Sequence, residues 1–487
     1  MTDRSYKVCT AIIAIATLTP LMLVHSEMWD MILAEMAYKT GDFSLIRDWL
    51  IEQGWYMKYY TYVVTDTLNA WTGLPHKFFT NSVTVISILG ISREMFRLLT
   101  DTYEFDKKVA YVGAWSILAF PVWHTLISSA VFINILCLWL FMIAIRLWRT
   151  NKILALIFLI PSLQLFSLFA FAVGFIVSDF LLTADGNNFK KKISTSVLLS
   201  FALLVAYIIL MSFINIHGTT GKNYNSFNLD RIKSFINYGI MTVVILLSTY
   251  GLTKTIDNKT ESERLIRHVL SFLALAFFAG LAYWAVGRPM RFFAFGSFTA
   301  RHTYLTCIPF ALLISIIAEY MFKRINHKAY WGIVSFTILA LIVLLHQGYS
   351  HKIAAVIFKD MATHAFAKTE APPSGYVAIF PQGYKPPRHV HGYAMNVCLY
   401  KAYGRSAWMT NGYWLRDSDL SRSSLEQQYQ GGSSESARHQ LALDVTGDTY
   451  TKYTFTLSDY HQEGRFWYWI YHILGYYNTF KPKLELR

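Results

Sequence analysis

Two carboxylates stand just beyond the first long apolar stretch of the chain: Glu27 and Asp30, in HSEMWDMILAEMAYKTGDF from His25 to Phe43. A carboxylate works as a general base when it lies within hydrogen-bond reach of the proton it takes, and an apolar neighbour raises its pKa toward usefulness. Trp29 is such a neighbour. Asp30 follows Glu27 by about one helical turn, so both acids would share a face. The competing reading is anchoring, with Trp29 in an aromatic belt and both acids among lipid headgroups. A second constellation is cationic: GRPMRFFAFGSFTARH carries Arg288, Arg291 and Arg301. Guanidinium forks grip phosphate oxygens in pairs, which makes a lipid-linked phosphate or diphosphate the natural ligand. Pairing with bulk lipid phosphates or with acids near the C-terminus would use the same residues. A third stretch, Asn215 to Lys233, offers His217, Lys222 and Arg231 among amides, and reads more simply as a solvated loop.

The elements that must position these groups are set by composition. Of 487 residues, 54% are hydrophobic and only 15% charged, and the mean hydropathy is +0.33. Many stretches approach the roughly 20 apolar residues needed to cross a bilayer, whereas a β-barrel would show short alternating segments. The expected class is a polytopic α-helical membrane protein. The first apolar stretch lacks a small-residue cleavage site and reads as a retained helix. Cys9, Cys137, Cys307 and Cys398 are scattered, with no disulfide framework or metal-ligand spacing. The net charge of +14 is spread between apolar stretches and not clustered along a groove, which argues against nucleic acid as a partner.

Window length predicts about eleven spans. They are Val8–Val24, Asn81–Met95, Val109–Ala130, Val131–Ile145, two short spans or a re-entrant hairpin within Ile153–Leu182, Ser194–Ile214, Ser234–Leu252, Leu265–Val286, Thr303–Phe322 and Ala329–His346. Basic residues between alternate spans predict an N-terminus in the cytoplasm and a C-terminus outside. On that topology the three constellations all face outward, within a membrane region 1–349 that has a long outer loop, 25–80. Residues 350–487 change character, being rich in Tyr, Gly, Ser and charge. Tyr376–Phe380 and Thr449–Leu457 read as strands, and the whole as an extracytoplasmic α/β domain. Its Trp408, Trp414, Trp467 and Trp469 suit core packing ahead of stacking on sugars.

Other patterns carry less. Asp417-Ser418-Asp419 is a D-x-D in a polar stretch, and no P-loop, G-x-G-x-x-G, H-E-x-x-H or G-x-S-x-G is present. His124, Asn134 and Asp179 fall within spans and read more economically as helix–helix hydrogen-bonding groups than as a transport path.

An acid after the first span, then AEMAYKTGDF, then GWYMKYYTYV, resembles the opening of the C-type (GT-C) polytopic glycosyltransferases. The order is similar to that in their lipid A aminoarabinose and protein mannosyl branches, closely over residues 1–75 and beyond that only in layout. Size, topology and the lysine-bearing tail YNTFKPKLELR look most like serotype-converting O-antigen glucosyltransferases of phage type. The resemblance implies inverting transfer of a hexose, glucose first, from a polyprenyl-phosphate donor to an O-antigen polysaccharide on the periplasmic side of a bacterial inner membrane. Glu27 would be the base, with Asp30 second. Arg288, Arg291 and Arg301 would hold the donor phosphate, and Trp29, Lys58, Tyr59, Lys222 and Lys481 would contact donor or acceptor. No cofactor or metal is called for. Ser26-Glu27 stands where the two named branches carry an adjacent acid pair. An O-antigen polymerase or ligase using polyprenyl-diphosphate glycans, or a transporter or flippase, are the other classes open.

Overall fold

A computed structural model describes residues 3–24, 56–128, 132–163, 165, 167–183, 189–217, 229–285, 303–370, 376–382, 398–399, 401–403, 411–414, 451–461, 464–465 and 467–486. Its contacts divide the chain into two compact units: Met1–Met22, Ser44–Leu126 and Val131–Gly348 in one, and Leu23–Phe43, Ile127–Ala130 and Tyr349–Arg487 in the other.

The first unit is a helical bundle. Its helices are α1 (Asp3–Leu23), α2 (Tyr56–Thr72), α3 (His76–Asp101), α4 (Lys107–Leu118), α5 (Phe132–Trp148), α6 (Lys152–Ser162), α7 (Ser167–Thr183), α8 (Phe189–His217), α9 (Leu229–Thr253), α10 (Lys259–Ala285), α11 (Cys307–Arg324) and the first half of α12 (His327–Phe366). Seven helical stretches among the described residues are long and apolar enough to cross a membrane. Their boundaries have local causes. Asp106 accepts from Lys108 N at 2.8 Å to start α4, and Asn151 accepts from Leu154 N at 3.0 Å to start α6. Pro161 removes a backbone donor just before α6 stops, so Ile153–Leu182 is two helices of 11 and 17 residues. Gly73, at φ +70°, ends α2 in a conformation that other residues rarely take, and Pro75 leads into α3.

Contacts between helix ends fix the direction of each helix. The ring of Tyr6 stacks on Tyr111 at 4.8 Å and lies 5.7 Å from Trp331, so α1, α4 and α12 start at one end. Phe96 meets Tyr111 at 4.6 Å and Phe322 meets Tyr330 at 5.2 Å, so α3 and α11 finish there. Arg146 pairs with Glu94, Arg149 pairs with Asp179, and Lys192 donates to the Thr183 carbonyl, which adds the ends of α5 and α7 and the starts of α6 and α8. Arg264 pairs with Glu319 at 3.3 Å and Lys323 with Glu261 at 3.2 Å, adding the start of α10. Thr255, just after α9, reaches Tyr320 at 3.4 Å. Helices α1 and α3 to α12 therefore alternate in direction between this basic end and an opposite end, where the connections 24–55, 218–228 and 286–302 begin and finish.

Inside the bundle several polar groups bridge neighbouring helices. Trp115 Nε1 donates to Thr10 Oγ1 at 2.8 Å, Tyr238 donates to the Leu273 carbonyl at 2.7 Å, and the Tyr103 and Ser178 hydroxyls lie 2.7 Å apart. Large apolar side chains on α1, α6, α8, α9 and α12 point outward, among them Ile15, Ile160, Leu198, Leu247 and Phe336.

The expected last span, Ala329–His346, does not end the helix: α12 runs 40 residues to Phe366. From Ile353 onward its pattern IAAVIFKDMATHAF still repeats apolar residues at helical spacing, and these form the core of the second unit. There the rings of Phe358 and Phe366 lie 5.8 Å from those of Phe455 and Tyr453 on the sheet. The sheet has strands β1 (Tyr376–Gln382), β2 (Asn411–Trp414), β3 (Thr451–Thr456) and β4 (Lys483–Leu486) in the order β2-β1-β3-β4. Strand β1 pairs parallel with both β2 and β3, and β4 closes antiparallel on β3. Helix α13 (Tyr468–Leu474) packs Tyr468 against Tyr460 and Phe480.

Gly348 shows how tightly the first unit packs. A Cβ there would fall 2.3 Å from Cδ2 of His124, a fully buried side chain, whereas a Cβ on Gly332 in the same helix meets nothing within 4 Å. Gly348→Ala is expected to destabilise by about 1–3 kcal/mol through overpacking. Gly332→Ala should be neutral or stabilising by up to about 1 kcal/mol. Thermal unfolding of the two variants in detergent checks both; equal midpoints would contradict this packing.

Candidate functional site

Most of the residues singled out from sequence lie outside the described residues: Glu27, Trp29, Asp30, Lys222, Arg288, Arg291 and Arg301, with Asp417 and Asp419. Lys58 falls on α2. Tyr59, next to it, is half-buried, its ring 5.4 Å from that of Tyr60. What the structure does fix is where their segments are attached. Helix α1 runs from the basic end, so its last residue, Leu23, lies at the opposite end, two residues before His25. The ring of Tyr62 on α2 is 5.9 Å from Phe132, the first residue of α5, at the same end. Trp284 Nε1 donates to Ser234 Oγ at 2.9 Å, and the Tyr283 and Tyr304 rings are 6.5 Å apart. Those contacts bring together the end of α10, the start of α9 and the approach to α11, which flank Lys222, Arg288, Arg291 and Arg301. The flanks of all three constellations thus share one end of the bundle, which we call the loop end.

That end has a buried polar floor that sequence reasoning missed. On α3, Lys77, Thr80, Asn81, Thr84 and Ser87 recur at three- and four-residue spacing, and all are buried, Lys77 at 4% exposure. His124 and Thr125 on the 3-10 turn Pro121–Ile127, and Thr303 and Thr306 before α11, are buried too. The threonines are satisfied locally: Thr84 donates to the Thr80 carbonyl at 2.8 Å, Thr125 to Val122 at 2.9 Å and Thr80 to Lys77 at 3.1 Å. His346 Nε2 lies 2.7 Å from the Ala16 carbonyl, tying α12 to α1. Lys77, Asn81, His124 and His346 all engage further neighbours. Withdrawing an ammonium from water is costly, so a buried lysine marks a place where negative charge or several oxygens are to be met. Lys77 had been read as part of a loop running to Thr80. The i, i+4, i+7 recurrence of Lys77, Asn81 and Thr84 was the signal available. His124 is buried in the 3-10 turn against α12, and Asp179 sits at the basic end with Arg149.

The second unit has a polar cluster of its own. The Asp360 carboxylate accepts from the Tyr477 hydroxyl at 3.1 Å and faces His472 Nδ1 at 3.3 Å, and His364 Nε2 lies 3.2 Å from Asn478 Oδ1. Burial, and then the Asp360 charge, push the Tyr477 hydroxyl above its ordinary pKa, so it remains a donor. These groups clamp the C-terminal stretch to α12. Cys398 is buried, its thiol 3.5 Å from the Lys359 carbonyl, and burial raises its pKa, which makes it an inert thiol. Lys481 is exposed at φ +43°, capping the 3-10 helix Tyr477–Phe480. Trp467 is exposed and Trp469 half-buried.

The fold is a bundle of alternating helices, several of membrane length, joined in sequence to a small α/β unit with a mixed sheet. No family model, curated protein or solved structure matches the chain.

Tyr477→Phe leaves a buried carboxylate short of a donor and is expected to cost about 1.5–3 kcal/mol. Lys481→Gly relieves a left-handed residue and should hold or raise stability by up to about 1 kcal/mol. Chemical denaturation followed by a probe in the second unit distinguishes them; a neutral Tyr477→Phe would remove the clamp.

Proposed function

We propose that the chain is a multi-pass membrane glycosyltransferase of the C type. It moves a hexose from a polyprenyl-phosphate donor to a polysaccharide acceptor, most simply an O-antigen. One observation carries this reading: the segments bearing Glu27 and Asp30, Lys222, and Arg288, Arg291 and Arg301 are flanked by helix ends that share the loop end, the end at which α3 buries Lys77. The basic residues gather at the other end, which the positive-inside rule assigns to the cytoplasm. The loop end then faces the periplasm of a bacterial inner membrane, where a lipid-linked sugar is presented.

The chemistry needs two things. A sugar on a phosphate already has a leaving group, so the protein has to take a proton from an acceptor hydroxyl and hold the departing negative charge. Glu27 takes the proton, with Asp30 in reserve. The three arginines hold the phosphate, and Lys77 adds a desolvated positive charge beneath it. Trp29, Lys58, Tyr59, Lys222 and Lys481 are the proposed contacts to donor or acceptor. The interruption between α6 and α7 would also suit a flippase. A polymerase or ligase would require a diphosphate-linked glycan instead.

The test is transfer of labelled hexose from polyprenyl phosphate to O-polysaccharide by purified protein. Glu27→Gln is expected to lower kcat by about 10²–10⁴-fold. Lys77→Met keeps the stem and removes the charge, and should weaken donor binding by roughly 10–100-fold with the thermal midpoint held. Full activity in Glu27→Gln and Asp30→Asn together would overturn the site. Movement of labelled lipid across liposomes without transfer would favour the flippase.

A further inference from the structure

Helix α2 is turned inside out. Its outward arc carries Tyr60 (62% exposed), Val63, Val64 (56%) and Trp71 (79%), at the spacing of one helical face. Thr67 lies on the same arc, but its hydroxyl is already given to the Val63 carbonyl at 3.0 Å. The polar groups of the helix are engaged by the protein, Thr65 buried and the Asp66 side chain 40% exposed. Thr65 donates to the Tyr62 carbonyl at 2.9 Å, Asp66 faces His76 Nε2 at 3.6 Å, and Asn69 Nδ2 donates to the Leu74 carbonyl at 2.7 Å. A helix on a water-facing surface is built the other way round.

Two contacts set its course. Tyr62 meets Phe132 and Asp66 meets His76, the first residues of α5 and α3, both at the loop end. Helix α2 therefore runs across the ends of the bundle and not down its side. The outward stripe continues through Leu74 into Phe78 of α3, whose Ile86 and Leu89 are exposed in turn, as are Ile12 and Ile15 of α1.

We propose that α2 lies in the lipid leaflet at the loop end, with Tyr60, Val63, Val64 and Trp71 among the acyl chains just beneath the headgroups. Aliphatic residues with a tryptophan and a tyrosine on one face, and polar residues on the other, make an interfacial helix. The acyl chains are the occupant because the stripe runs on through Leu74 into Phe78, Ile86 and Leu89 on the outward face of α3, in the same unit. Anchored in this way, the first turn of α2, with Lys58 and Tyr59, lies at headgroup depth, where a lipid-linked phosphate would be met. The proposal rests on the membrane reading of the bundle and not on sugar transfer.

The experiment uses the full chain in nanodiscs of phosphatidylethanolamine and phosphatidylglycerol, doped with a phospholipid bearing a diazirine high on one acyl chain. After photolysis, adducts are mapped by mass spectrometry. Adducts on Tyr60–Trp71 comparable to those on the outward face of α9 are expected. Replacing Val63 and Val64 with Asp should cut α2 labelling roughly fivefold while α9 labelling is unchanged. The unaltered α9 signal shows that this variant is folded and inserted. Labelled α9 with unlabelled α2, equally strong labelling of α2 by a water-soluble carbene, or a cross-link from α2 to a second copy would overturn the proposal. Because the readout involves no transfer, a negative transfer assay leaves it standing.

Discussion

The first unit depends on where its polar groups can go. Its outer surface is largely aliphatic, so hydroxyls, indoles and charged groups have to be met from within the protein. Threonines give their protons to their own helices, and Trp115, Trp284 and Tyr238 bridge neighbours. The basic end is closed by Arg146, Arg149, Arg264 and Lys323, each paired to an acid on another helix. An unmet donor in a low-dielectric surround costs several kcal/mol, more than most packing differences between alternative arrangements. That constraint selects which helices sit side by side.

Helix α12 answers to two different demands along one axis. Its first half turns Phe336, Leu339 and Val343 outward, and its second half buries nearly every apolar side chain under the sheet. The chain thus passes from the first unit into the second within a single helix. The Asp360 cluster then fixes the C-terminal stretch to that same helix. A hydrogen-bonded carboxylate in a small core is worth as much for register as for stability.

The two halves of the proposed transfer site are divided by kind. The groups proposed to act on substrate sit in connections, while the helices beneath contribute the buried Lys77, Asn81 and His124. Connections can change with the acceptor, and a floor made of helix faces keeps charge in place at the depth where a phosphate would be bound. The proposed interfacial seat of α2 belongs to the same logic, since side chains on a helix held at headgroup level would meet a lipid-linked ligand without first having to search for it.

Much of this was legible along the chain. Runs of apolar residues marked the helices, because burial or lipid contact of an apolar run leaves the same local pattern whatever the run packs against. The break within Ile153–Leu182 and the strands at Tyr376 and Thr451 were likewise visible in local composition. Continuation of the last span to Phe366 was missed, since the change from lipid-facing to core-facing residues alters the neighbours of a helix and not its period. Lys77 escapes notice for a related reason: a lone polar residue near a helix end looks solvated until the helices around it are known. Local periodicity determines which segments are helical. Burial, the partner of each charge and the end of the bundle where a loop emerges depend on residues tens to hundreds of positions apart, and only the tertiary structure decides them.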